Sequence, residues 1–200
     1  IGVAGGARDD DRWLIDPEAL LVFSLDMARY DPRLFDEILD WLVANGKWID
    51  SQRLRGILKN KPETTRRLFS AVALYISKEA KSLKRKWSPF ARLTKRDADF
   101  SPEILFKTEE GKAHPEPREK EENFAEYGFL REKFQLRGMS KPPPVTAPGN
   151  LRFLLRALLG VGSRSECIAY LLTHEGGHPA EIAKKIGISK MAVRDMLIDL

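Results

Sequence analysis

The stretch SRSECIAYLLTHEGGHPAEIAKKIGISKMAVRDMLIDL, residues 163–200, predicts three short helices separated by two tight turns. In the first of these helices, Ile168, Leu171 and Leu172 recur at helical spacing and so predict its inward face. Glu166 lies outside this apolar stripe, and we expect it on another side of the helix.

The second and third helices have clear start and stop signals. Pro179 suits a first helical position, and Gly187 suits a left-handed residue at a helix C-terminus. Ser189 can begin the next helix, because its hydroxyl can accept hydrogen bonds from the free N–H groups of the first turn. The apolar residues expected to face inward are Ala180, Ile182, Ala183, Ile186, Val193, Met196, Leu197 and Leu200.

This stretch resembles a known DNA-binding motif. The run AEIAKKIGISKMAVRDMLIDL is similar to the helix-turn-helix of winged-helix bacterial transcriptional regulators of the MarR and ArsR type. In those families a small residue in the second helix, here Ala183, allows close helix packing, and an apolar residue after the turn glycine, here Ile188, fills the core. The resemblance covers about the last fifty residues, and the β-hairpin wing of such domains is not in this sequence.

The resemblance implies a regulator that reads duplex DNA in the major groove. Lys190, Met191 and Arg194 are expected to face outward toward base edges, with Ser189 and Lys190 near phosphate. A preceding helix over 150–159 is of the kind that such regulators use for dimer contact or core completion, so a homodimer is expected.

A second class of function stays open. Asp195 would repel phosphate, and the C-terminal block carries a net charge of only +2 over residues 150–200 (7 basic and 5 acidic residues). Both features favour a winged-helix module for protein interaction or assembly that does not bind DNA sequence-specifically.

The composition is that of an ordinary globular protein. With 200 residues, 42% of them hydrophobic, the chain can bury one large core or two small ones. No apolar run approaches the ~20 residues of a membrane helix, so no membrane partner is expected. The single cysteine, Cys167, cannot form an intrachain disulfide, which fits a reducing cytoplasm, and no cofactor is expected.

The basic residues are concentrated in one block. Residues 53–96 contain 14 basic and 2 acidic residues, a net charge of +12. The net charges of the remaining blocks are −6 over 1–52, −3 over 97–149 and +2 over 150–200. Such clustering creates a field that attracts polyanions.

A long basic helix is predicted within this block. It runs from Pro62 to about Trp87, with Lys78, Lys81 and Arg85 on the side opposite its apolar face. Contact with nucleic-acid phosphates and an ordinary solvated face are both compatible with this pattern.

These patterns predict a mainly α-helical protein. Its predicted parts are a mobile arm (1–12), a helical domain (13–96), an irregular acidic and proline-rich connecting segment (97–149) and the helix-turn-helix domain (150–200). The spacing from Gly46 to Leu68 is nearly that from Gly177 to Leu197, so the helical domain is a candidate for a second, degenerate helix-turn-helix.

Local signals also predict helix starts in the N-terminal half. Asp16-Pro17 and Asp31-Pro32 each combine a capping carboxylate with a proline at the first helical position, and Ser51 is expected to cap a third helix. The acidic residues of the second helix, Asp40 among them, are expected to face solvent.

His174-Glu175-Gly176-Gly177-His178 matches the H-E-x-x-H pattern of zinc metalloproteases. That chemistry needs both histidines one turn apart on a continuous helix. Two glycines cost about 2 kcal/mol of helix stability relative to alanine, so we predict a turn, and zinc proteolysis is a remote alternative. Cys167 is interpreted as a buried structural residue, no metal ligand is assigned, and the chain is not expected to be an enzyme.

Overall fold

The computed structural model describes residues 14–94 and 100–199. The predictions for the arm over 1–12 and for Leu200 therefore lie outside the described residues. The fold is mainly α-helical, as predicted, with ten α-helices and two very short strands in the described range. No helix within this range is both long and apolar enough to cross a bilayer.

The elements alternate with irregular segments. Strands β1 (Glu103–Ile104) and β2 (Phe129–Leu130) pair in parallel. The helices are α1 Pro17–Met27, α2 Pro32–Asn45, α3 Ser51–Lys59, α4 Glu63–Glu79, α5 Lys84–Trp87, α6 Glu122–Ala125, α7 Leu151–Leu159, α8 Ser163–Thr173, α9 Pro179–Ile186 and α10 Lys190–Ile198.

The chain divides into two compact units. Their segments are Ile1–Leu20, Trp48–Asn60 and Pro142–Leu200 in unit 1, and Leu21–Lys47 and Lys61–Lys141 in unit 2. The sequence division had kept α3 apart from the C-terminal helices, whereas both belong to unit 1. Because α3 and α4 fall in different units, the second helix-turn-helix predicted between Gly46 and Leu68 is not formed as one compact body.

Carboxylates begin the first three helices. The side chains of Asp16, Asp31 and Asp50 accept hydrogen bonds from backbone N–H groups two or three residues further on, at 2.8–3.1 Å. The two Asp-Pro starts are thus confirmed. The prediction that Ser51 caps α3 was wrong, because Asp50 holds that position and Ser51 is the first helical residue.

The prediction of one long basic helix from Pro62 to about Trp87 was also wrong. The chain leaves helical geometry at Ala80 (φ −106°, ψ 91°), passes through a 3-10 turn and re-enters a helix as α5. This break allows Leu83 and Trp87 to be buried in unit 2. The Trp87 ring stacks on Phe69 with 6.0 Å between ring centroids, so burial of the indole outweighs helix continuity.

Of the predicted connecting segment, the described residues 100–149 are largely irregular, but most of them add core to unit 2 rather than only connecting helices. Arg131 is almost fully buried, pairs with Asp36 at 2.6 Å and lies 4.0 Å from the centre of the Phe134 ring. The buried apolar residues of the segment are Leu105, Phe106, Phe124, Tyr127 and Phe129.

Asp40 was predicted to face solvent, but the structure buries it, with only 8% of the residue exposed. Its carboxylate accepts the N–H groups of Gly138 (2.8 Å), Met139 (3.1 Å) and Ser140 (3.2 Å), and the Ser140 hydroxyl at 2.8 Å. Burial alone would favour the neutral acid, but these donors outweigh it and hold the pKa of Asp40 below its usual value. Asp40 thus fixes an irregular loop of unit 2.

Candidate nucleic-acid interface

Helices α8, α9 and α10 of unit 1 pack around a common core. Its buried members are Cys167, Tyr170, Ile182, Ala183, Ile186, Ile188, Val193 and Met196. Ala183 and Ile188, which the sequence placed inside, are both buried.

The connection between α9 and α10 has the predicted geometry. Gly187 is left-handed (φ 71°, ψ 32°), and its N–H donates to the Ala183 carbonyl at 3.0 Å. Ser189 caps α10, since its hydroxyl accepts the Ala192 N–H at 3.3 Å. The direction in which α10 leaves the turn is therefore fixed by backbone geometry and by a side-chain cap.

The outer face of α10 carries the residues predicted for DNA. Ser189, Lys190, Met191 and Arg194 are all exposed, and Met191 reaches 74%. Lys190 and Arg194 have no carboxylate partner among the described residues. Asp195 is exposed as well, so the face combines two cations, one thioether and one anion.

The sequence analysis did not assign two further exposed cations, both on α9, to the candidate DNA-binding face. Lys184 and Lys185 occupy the last turn of α9 and are exposed. The signal was available in the run AEIAKKIG, where apolar residues fix the inner side and leave both lysines outside.

The inward face predicted for α8 was wrong. Leu171 and Leu172 are 37% and 64% exposed, whereas Glu166 is buried. Leu158 at the end of α7 is 71% exposed, so α7 and α8 both present leucines to solvent.

Glu166 is buried because it pairs with Arg156, whose side chain is also fully buried. All five guanidinium N–H bonds of Arg156 are used. Nε and Nη2 donate to Glu166 at 3.0 and 2.6 Å, and Nη1 and Nη2 donate to Glu18 at 2.8 and 3.0 Å. Nη1 also donates to the Trp48 carbonyl at 2.7 Å. Strong ion pairing raises the pKa of Arg156 although burial opposes it, so the side chain stays charged.

Arg53 connects this buried pairing to the α9–α10 turn. Its Nε donates to Glu18 at 3.0 Å, while its two amino groups contact the Asp16 carboxylate and the Ile186 carbonyl. Ile186 is the last residue of α9, where the unpaired carbonyls carry partial negative charge, so a guanidinium is favoured there.

A third arginine completes a neutral group. Arg152 pairs with Asp16 at 2.8 Å and Glu166 at 3.3 Å. Burial would raise the pKa of Asp16, but Arg53 and Arg152 together with a backbone N–H hold it below its usual value. We call the three arginines and three carboxylates the six-charge cluster: Arg53, Arg152, Arg156, Asp16, Glu18 and Glu166.

The basic residues of unit 2 do not lie on one helix. Lys78 is on α4 and pairs with Glu126 at 3.5 Å, Lys81 lies in the 3-10 turn, and Arg85 is on α5. All three are exposed, but the break at Ala80 removes the continuous stripe that the sequence predicted.

The H-E-x-x-H segment is a turn, as predicted. His174 follows α8 in an extended conformation, Gly176 has φ 126°, and His178 caps α9. The two histidines are therefore not one turn apart on a helix. Cys167 is buried in the core, and the described residues contain no group of three or more His, Cys, Asp or Glu side chains placed to hold a metal ion.

The features above define a mainly helical chain with a packed C-terminal helix-turn-helix arrangement. In comparisons with known protein families, curated proteins and solved structures, the chain gave no match. Its function is therefore argued from its own geometry.

Proposed function

We propose that the chain is a DNA-binding transcriptional regulator that reads duplex DNA through α10. The observation that carries this proposal is the outer face of α10, where Lys190, Met191 and Arg194 are exposed on a helix whose other side is anchored in a core. Helices of this width fit the major groove, where base edges are distinguishable.

Each of these side chains has a distinct role in the proposal. Arg194 donates to O6 and N7 of a guanine, a pairing that typically supplies about 1–3 kcal/mol of discrimination. Met191 contacts a thymine methyl group. Ser189 and Lys190 contact the phosphates. Lys184 and Lys185, in the last turn of α9, contact phosphates as well, and their positive charges offset the repulsion between Asp195 and the DNA.

The six-charge cluster supports the proposal by giving α10 a fixed orientation. Arg53 holds the Ile186 carbonyl at the end of α9, one residue before the turn glycine. A rigid turn reduces the conformational entropy lost when the helix binds DNA, so binding energy is not spent on ordering it.

A second copy of the chain is part of the proposal. Leu158 of α7 and Leu172 of α8 are mostly exposed on two helices that pack against each other, and we place the dimer contact at these leucines. A twofold dimer would recognise two half-sites about 34–36 Å apart. Sedimentation of Leu158→Glu/Leu172→Glu should report a monomer, while a dimer that persists would show that other residues form the contact.

The base-reading role is tested with Arg194→Ala. A preferred site is first obtained by in-vitro selection on random duplexes, and binding to it is compared with binding to random DNA. Arg194→Ala should lower the preference by about 1–3 kcal/mol while leaving folding intact. The control is Arg164→Ala, which removes an exposed arginine from α8 and should change neither quantity.

Lys190→Ala separates phosphate contact from base contact. It should weaken binding to all sequences alike and reduce the slope of log K against log salt by about 1. Charge reversal at Lys78, Lys81 and Arg85 tests unit 2 in the same assay, and an unchanged slope would make these residues ordinary surface.

The second candidate function is a protein-interaction or assembly module. It is favoured by the exposure of Met191 (74%) and Ile198 (72%) around Asp195 on α10, a mixture suited to a protein partner. If selection yields no preferred DNA sequence and binding to random duplex is weak at low salt, this function replaces DNA reading.

A further inference from the structure

The four methionines of the chain differ sharply in their exposure to solvent. Met139 in unit 2 is 77% exposed, Met191 on α10 is 74% exposed, and Met27 is 50% exposed. Met196 lies on the same helix as Met191 but is only 8% exposed, because it belongs to the core of α8, α9 and α10. An oxidant in solution therefore has free access to the Met191 thioether, whereas the Met196 thioether is sheltered.

Met191 shares its helix face with a guanidinium that has no ion-pair partner. Arg194 lies three residues further along α10, is exposed, and meets no carboxylate within the part of the chain that the structure describes. Side chains three residues apart on a helix are neighbours, with about 5–6 Å between their β-carbons. Because Cα–Cβ bonds tilt toward the start of a helix, the Arg194 side chain leaves α10 in the direction of Met191. The two side chains are within reach of each other.

Oxidation changes what Met191 offers to this arginine. The thioether sulfur is a weak hydrogen-bond acceptor, whereas a sulfoxide carries a polar oxygen that accepts hydrogen bonds well. The guanidinium has five N–H donors and no acceptor, so the sulfoxide oxygen is a suitable partner for it. Asp195 does not compete for Arg194, since adjacent residues on a helix do not face each other.

We propose that Met191 is a site of reversible oxidation by hydrogen peroxide, and that the sulfoxide oxygen binds Arg194. A lone pair of Sδ attacks one peroxide oxygen, so that the S–O bond forms while the O–O bond breaks. The proton on the transferred oxygen passes to the departing hydroxide, which leaves as water. The sulfur loses two electrons and the peroxide gains them.

Oxidation then acts on base reading, and this part of the proposal rests on the proposed function. Arg194 is held by the sulfoxide and withdrawn from guanine, and the polar sulfoxide no longer suits the contact between Met191 and a thymine methyl group. The phosphate contacts of Ser189 and Lys190 are unchanged. The preference for a selected site should fall, while affinity for random duplex DNA stays nearly the same.

The reaction itself is measured without DNA. The full chain is treated with hydrogen peroxide for increasing times, and mass spectrometry of its peptides follows each methionine separately. Met191 should be oxidised as rapidly as Met139, and both well before Met196. Oxidation of Met191 as slow as that of Met196 would overturn the proposal.

The contact with Arg194 is also measured without DNA, through the Nε–Hε signals of arginine in NMR spectra of the ¹⁵N-labelled full chain. The signal of Arg194, assigned with Arg194→Lys, should shift after oxidation. The signal of Arg164, which is exposed on α8, is the matched control and should stay in place. An Arg194 signal that does not move after complete oxidation of Met191 would overturn the contact.

The effect on DNA is measured as the ratio of affinity for a selected site to affinity for random duplex, and each variant is compared with its own untreated sample. Wild type should lose about tenfold in this ratio on oxidation. Met139→Leu should lose as much, because the exposed methionine that it lacks is in unit 2. Met191→Leu should lose nothing. Two methionine sulfoxide reductases, one for each sulfoxide epimer, should restore the ratio of wild type.

Two results in the DNA assay would contradict the role of Met191. An equal loss in Met191→Leu would assign the effect to another methionine, and a loss that the reductases do not reverse would point to damage elsewhere. A selection that yields no preferred site for the untreated chain is a failure of the proposed function instead. The Met191 site and its contact with Arg194 are then decided by the mass spectra and the arginine signals.

Discussion

Replacement of Arg156 by methionine should destabilise unit 1 strongly. Methionine is also long and unbranched, but it donates none of the five hydrogen bonds that Arg156 makes to Glu18, Glu166 and the Trp48 carbonyl. Both carboxylates are 0% exposed and would keep only Arg53 and Arg152 as partners, so the six-charge cluster would be left with one unmatched negative charge in the interior. Removal of one partner from a buried ion pair costs about 3–5 kcal/mol.

Urea unfolding followed by far-UV circular dichroism measures this loss. With a slope of about 1–3 kcal/mol per molar urea, the midpoint should fall by about 1 M or more. Arg164→Met is the matched control, because Arg164 is exposed on α8, and its effect should stay within about 0.5 kcal/mol. Amide hydrogen exchange should locate the lost protection in α3 and α7–α10.

Charge balance can be separated from lost packing with a second variant. Adding Glu166→Gln to Arg156→Met leaves two arginines and two carboxylates in the cluster, which removes the unmatched charge and should restore part of the stability. The reasoning is refuted if Arg156→Met and Arg164→Met unfold at the same urea concentration, or if the added Glu166→Gln destabilises the protein further.

Three further substitutions test local geometry. Asp40→Asn should cost about 1–3 kcal/mol at pH 7, measured by urea unfolding. Folding lowers the pKa of Asp40, so its contribution is present above the unfolded value of about 3.9 and lost as the pH falls through the folded value. Wild type and variant should therefore converge in acid, and a constant difference would contradict this. Gly187→Ala should cost about 1–2 kcal/mol in thermal unfolding, because φ is 71° there. Gly46→Ala should cost about 1–3 kcal/mol and perturb tryptophan fluorescence, because the new β-carbon would lie 2.9 Å from Trp87 Nε1. An unchanged midpoint in either glycine variant would mean that the backbone adjusts.

The parts of the fold that depend on neighbours in the sequence were predictable. The starts at Asp16 and Asp31, the left-handed Gly187 and the Ser189 cap each involve groups within four residues of one another. The exposed residues of α10 followed from its apolar periodicity, because one side of a short helix was filled by core residues.

The features that failed depend on distant partners. Glu166 turns inward because Arg156 on another helix meets it, and Arg53 lies more than a hundred residues away from both. Apolar periodicity alone therefore assigned Leu171 and Leu172 to the interior. The break at Ala80 had no glycine or proline signal, since it depends on where Trp87 finds space beside Phe69.

The six-charge cluster also restricts how this sequence can change during evolution. A single substitution at Arg156, Glu18 or Glu166 leaves an unmatched charge in the interior, so most one-step intermediates should be destabilised and selected against. Descendants should therefore keep these positions together or replace them together with apolar residues. Substitutions at Glu18 and Glu166, which are remote in sequence but share Arg156 as a partner, should then be correlated among related sequences.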